Sequence, residues 1–126
     1  EQSYSAVSSG KFKKNLTFYE MDLGLNHVSR KHIMDVDDSA SMLIAVPGDD
    51  GPGGIIVVCE DFLVYKKMGH PERKCYYPQR LDTKILPSSR KLFISASATF
   101  SSDTFFFLLL SEYGDLYKLT LEHQDQ

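Results

Sequence analysis

The sequence predicts an all-β chain made of antiparallel blades from a β-propeller, about two blades of a larger ring. Three observations carry that prediction. Apolar runs of four to six residues alternate with hairpin-length turns, and no 11-residue window holds a 3.6-residue apolar period. The runs at 42–46, 55–59 and 105–110 are apolar at nearly every position, so both faces of those strands should be covered, as they are in a blade packed between neighbours. Strands near 42, 55, 62 and 73 make one unit and a new unit opens near 91, a spacing of about 49 residues that fits a blade repeat.

Element by element, residues 1–14 are rich in serine and lysine and are expected to be mobile. Leu16-Thr17-Phe18-Tyr19-Glu20-Met21 has strand composition, Gly24 interrupts it, and residues 25–33 read as a weaker second strand. Asp35-Val36-Asp37-Asp38-Ser39 reads as an acidic turn. Met42-Leu43-Ile44-Ala45-Val46 ends in a cluster of Pro, Gly and Asp at 47–54, an emphatic turn signal. Ile55-Ile56-Val57-Val58-Cys59 and Phe62-Leu63-Val64-Tyr65 flank a tight Glu60-Asp61 turn. Residues 73–78 extend the set. Strands follow near 91–99, 104–111 and 115–121, the last two joined by Tyr113-Gly114-Asp115. Short connections make neighbours antiparallel. Cys59 should be buried, with Ile56, Val58, Phe106 and Leu108 as its core neighbours.

These elements supply the outer strands of one blade, one complete blade and most of the next, within residues 15–122, and leave 123–126 as a tail. A propeller needs at least four blades, so the chain is expected to be a piece of something longer. It opens on Glu1 and closes on Gln126. Its uncovered blade faces should make the isolated piece self-associate, through the strands at 105–110 and 42–46.

Composition sets the limits on function. Of the 126 residues, 42% are apolar and 25% charged, which is globular. The longest apolar run, 105–110, is too short to cross a membrane as a helix. The net charge of −3 is sharply segregated: residues 62–91 hold eight cations against Glu72 and Asp82, while 20–61 hold nine acids against Arg30 and Lys31. No global field favours nucleic acid. Two cysteines are too few for a disulfide framework, which points to a reducing compartment.

No catalytic set emerges, and no cofactor or metal is expected. His27 and His32 are five apart, opposite faces of a regular strand. Asp35-x-Asp37-x-Ser39 opens like a calcium loop but has Ala40 where the turn needs glycine and Val46 where the bidentate glutamate belongs. Gly51-Pro52-Gly53-Gly54 lacks the helix and Lys-Ser/Thr pair of a phosphate loop. The Asn15-Leu16-Thr17 sequon lies in a strand. The surface of interest is 65–80, where Lys66, Lys67, Arg73, Lys74, Tyr76, Tyr77 and Arg80 interleave cations with aromatics. A solvated outer strand guarded by its lysines accounts for such a pattern. An acidic protein partner is the next reading, and a nucleic acid the third; specific RNA binding is not expected of so local a patch.

The run Asn15-Leu16-Thr17-Phe18-Tyr19-Glu20-Met21-Asp22-Leu23-Gly24-Leu25-Asn26-His27-Val28, followed by Arg30-Lys31, resembles the subunit 3 family of splicing factor 3b. Val46-Pro47-Gly48, Asp50-Gly51-Pro52, Cys59-Glu60, Ser97-Ala98-Thr99, Phe105-Phe106-Phe107-Leu108 and Gly114-Asp115-Leu116-Tyr117-Lys118-Leu119-Thr120-Leu121-Glu122 fit the same family. The resemblance covers about 14–122 and departs in the loops at 34–41, 68–80 and 82–90. These proteins are triple β-propeller scaffolds, related to the damage-specific DNA-binding protein and to the large subunit of the cleavage and polyadenylation specificity factor. The resemblance implies a non-enzymatic scaffold piece of the first propeller, in the nucleus, within the U2 small nuclear ribonucleoprotein. Implied partners are the other subunits of splicing factor 3b, a helical-repeat large subunit and small subunits, with small nuclear RNA and pre-mRNA reached indirectly during branch-site recognition. The alternative is a propeller adaptor in a related nuclear complex, for ubiquitin ligation after DNA damage or for mRNA 3′-end processing.

Overall fold

The computed structural model describes residues 2–3, 13–49, 51–78 and 92–122. Ten strands account for the regular structure, and none of the described residues lies in a helix. The chain divides into two compact units, 1–40 and 41–126.

The first unit is a three-stranded sheet. β1 (Gln2–Ser3) pairs with the start of β2 (Lys13–Asp22), so the segment expected to be mobile contributes backbone to a sheet at both of its ends. β2 runs antiparallel to β3 (His27–Val36) in a long hairpin. The Asp22 carboxylate closes the turn, accepting the Gly24 and Leu25 N–H groups at 3.0 and 3.1 Å. β3 runs three residues beyond the expected strand because Met34, Asp35 and Val36 still pair with Leu16, Asn15 and Lys14; the acidic turn begins only at Asp37. A bulge after Phe18 also corrects the histidine geometry. His32 lies opposite Phe18 and His27 opposite Asp22, which puts both on one face. Their partners are four positions apart on β2, about 13 Å, so they still do not meet.

The second unit holds two antiparallel sheets. β4 (Met42–Ala45), β5 (Ile55–Val58), β6 (Phe62–Lys66) and β7 (Arg73–Tyr76) follow one another in spatial order. β8 (Ile94–Ser101), β9 (Phe105–Ser111) and β10 (Leu116–Leu119) do the same. A four-stranded meander of this kind is the unit of a propeller blade. Turn chemistry fixes the registers. Gly54 has φ +90°, and a Cβ there would sit 2.9 Å from the Lys66 carbonyl oxygen and the Tyr65 hydroxyl; that hydroxyl donates to the Gly53 carbonyl at 2.7 Å. Between β9 and β10 the buried Ser111 hydroxyl accepts the N–H groups of Tyr113 and Asp115.

The core of this unit lies between its two sheets. Ile44, Ile56, Val58, Leu63 and Tyr77 come from one side and Ile94, Phe105, Phe107 and Leu109 from the other. Val57 and Val64, on the opposite face of the β4–β7 sheet, are buried too, so the run at 55–59 is covered on both faces as expected; the runs at 42–46 and 105–110 are not, since Leu43 is 55% and Leu110 38% exposed on the faces turned away from the core. Cys59 is buried, as expected. Two expected core residues are not in it. Phe107 is 0% exposed, whereas Phe106 and Leu108 point to the other side of β9 and are half-buried. Alternation along the strand selects one parity, and here the odd positions face the neighbouring sheet.

Candidate functional site

The seven residues singled out between 66 and 80 do not form one surface. Arg80 lies outside the described residues. Tyr77 belongs to the core: its phenol donates to the Cys59 carbonyl at 3.2 Å and its ring stacks on Tyr117 with centroids 6.4 Å apart. Burial pushes the Tyr77 phenol well above its ordinary pKa, with Cys59, Asp61 and Cys75 adding to the shift. Lys66 is largely covered, its side chain 13% exposed, and pairs with Glu72 at 2.9 Å. Lys67 donates to the Pro52 carbonyl and so braces the glycine-rich turn.

Arg73, Lys74 and Tyr76 remain, all exposed and all on β7. Phe62 joins them, a residue that the composition of 65–80 could not include. The two-residue Glu60-Asp61 turn starts β6 so that Phe62 lies directly opposite Tyr76, and Val64 opposite Lys74. Side chains of one parity then share a face. The Lys74 ammonium sits over the Phe62 ring at 3.9 Å and 5.1 Å from the Tyr76 ring, while the two rings are 5.7 Å apart. A cation over an aromatic face is an attractive contact, so this cluster is ordered in advance.

The backbone of β7 is as telling as its side chains. The Cys59 N–H donates to the Phe62 carbonyl, and the Tyr77 N–H to the Asp61 carbonyl. With the observed register, these two bonds set the phase of the ladder: Arg73 and Cys75 exchange bonds with Tyr65 and Leu63. The N–H and C=O groups of Lys74 and Tyr76 therefore point away from the sheet. Among the described residues no strand pairs with that side, and none form a cluster of three or more potential metal ligands.

A family model described as the RSE1/DDB1/CPSF1 first beta-propeller matches residues 1–126. The chain belongs to this family. It is 45% identical over 125 residues to spliceosome-associated protein 130 A of Arabidopsis thaliana, an alignment that covers 98% of this chain and 10% of that protein. It is 48% identical over 110 residues to the probable splicing factor 3B subunit 3 of Dictyostelium discoideum, covering 86% and 9%. Against splicing factor 3B subunit 3 of Drosophila melanogaster the identity is 38% over 123 residues, covering 96% and 10%. The chain thus spans about a tenth of the length of the curated relatives it matches. Propeller family and sheet architecture agree: an all-β chain of antiparallel meanders, as the strand pattern predicts. These relatives are named as splicing proteins, and none is named as an enzyme.

Proposed function

We propose that this chain is a non-enzymatic scaffold piece, part of the first propeller of a splicing factor 3b subunit 3, which acts in the nucleus and supports pre-mRNA splicing through protein–protein contacts. The observation that carries the reading is sequence identity of 38–48% to splicing factor 3B subunit 3 and spliceosome-associated proteins from a plant, an amoeba and a fly, sustained over most of the chain. The fold supports it in a second way: the core is spent on packing one sheet against the next, and β7 offers an edge that no described strand pairs with. Its partners are the other subunits of splicing factor 3b, a helical-repeat large subunit and small subunits. Contact with small nuclear RNA and pre-mRNA is indirect.

Affinity purification of the full-length protein from nuclear extract tests the assignment. Recovery of the U2 small nuclear RNA and the splicing factor 3b subunits is expected. Recovery of ubiquitin-ligase or 3′-end-processing subunits in their place would favour the adaptor reading.

A further inference from the structure

We propose that the open edge of β7 accepts an extended acidic segment of a partner protein as an added antiparallel or parallel strand. The proposal rests on the scaffold reading above and names the chemistry of one of its contacts. Strand addition needs alternate backbone groups that face outward, and Lys74 and Tyr76 supply them. It needs specificity from side chains beside those groups. Lys74, Phe62 and Tyr76 form a cationic and aromatic patch on one face of the edge, and Arg73 adds a second exposed cation on the other face. Glu72, the acid next to Arg73 in sequence, is engaged by Lys66, so it does not cancel the field that Arg73 and Lys74 present.

The same charges select the occupant. A second copy of β7 would bring two cationic strands side by side, a disfavoured pairing. RNA finds phosphate contacts here, but Lys74 lies over the Phe62 ring where a base would stack, and a ribose-phosphate chain cannot continue a β ladder. A peptide with carboxylates satisfies both the backbone groups and the cations.

The probe is a capped eight-residue peptide of alternating Glu and Val. Controls are its Lys-for-Glu counterpart, an analogue N-methylated at every residue, and decauridylate. Each is titrated into the full-length protein, with anisotropy for affinity and amide hydrogen exchange for location. The Glu peptide should bind and slow exchange at Lys74 and Tyr76 while leaving Cys75 unchanged. N-methylation, Lys for Glu, and the variants Arg73→Glu and Lys74→Glu should each weaken binding about tenfold or more. Both substituted side chains are exposed, so folding should survive, and unchanged exchange in β5 would confirm it. No binding up to ~1 mM, a range typical of weak contacts, would overturn the proposal. So would equal binding of the N-methylated analogue, which would make the contact a charge attraction without a strand. Tighter protection of the same amides by decauridylate would assign the edge to nucleic acid instead. No splicing component enters this experiment, so its failure would leave the scaffold assignment to be judged by the purification alone.

Discussion

Tyr77 shows how a single side chain divides between core and surface. Its phenol is held neutral by burial and by its bond to the Cys59 carbonyl. In the unfolded chain a tyrosine ionises near 10. Below that pH the neutral phenol contributes fully to stability; above it the unfolded state loses its proton first, so stability falls as pH rises towards the higher folded value. Tyr65, also shifted up by burial, acts in the same direction. Urea midpoints at about pH 9 and pH 11, either side of the free-tyrosine value, should therefore differ, and the difference should shrink in Tyr77→Phe; an unchanged difference would place the alkaline sensitivity elsewhere. Tyr77→Phe itself should cost about 1 kcal/mol at neutral pH, one hydrogen bond with packing retained. On β9 the ranking is set by parity. Phe107→Ala, at a fully buried site, should cost about 3–5 kcal/mol. Phe106→Ala removes a half-buried ring stacked on Phe100 and approached by Lys118, and should cost about 1–2 kcal/mol. Equal losses would mean that both faces of β9 are sealed. The sequence Phe105-Phe106-Phe107-Leu108-Leu109-Leu110 announces a strand but not its parity, because an unbroken apolar run looks the same from either side. Tyr76 and Tyr77 pose the same problem: adjacent and identical, one is 64% exposed and the other is core.

At the scale of elements, the Glu60-Asp61 turn couples two sheets. Asp61 adopts φ +69°. Its N–H donates to the Leu92 carbonyl at 3.1 Å, its carboxylate accepts the Leu92 N–H at 2.8 Å, and its carbonyl accepts the Tyr77 N–H at 3.0 Å. One turn residue thus ties the end of β7 and the entry to β8 to the β5–β6 hairpin. Asp61→Ala loses the carboxylate bond and keeps a left-handed backbone that alanine disfavours, so it should destabilise by about 1–3 kcal/mol. Asp61→Asn, which tolerates that backbone and keeps an acceptor, should lose less. Thermal unfolding of the two variants checks the order, and equal losses would show that the carboxylate carries the whole effect. Strands and hairpins were legible because apolar runs, glycines and short turns coincide. The bulge at Phe18, the turn's bonds to Leu92 and the entry of Phe62 into the exposed cluster were not, since each depends on a pairing register that local composition does not encode.

For the whole molecule, the outer face of the β8–β10 sheet leaves apolar surface exposed. Phe100, Leu110 and Leu116 are exposed on it beside the half-buried Phe106 and Leu108. An apolar face of this kind drives association, so the isolated 126-residue chain should self-associate as its concentration rises, and Leu116→Lys should reduce that by light scattering. A strictly monomeric chain at high concentration would show that the face is covered. The edge cations and the buried Val57 and Val64 suit the proposed scaffold role, in which a blade packs against its neighbours and offers its rim to partners. The most direct test of that scaffold role is splicing itself. Nuclear extract immunodepleted of the full-length protein should stall before the U2 particle is stably bound at the branch site, and purified protein together with its co-depleted subunits should restore splicing. A depleted extract that splices at the undepleted rate would contradict the account.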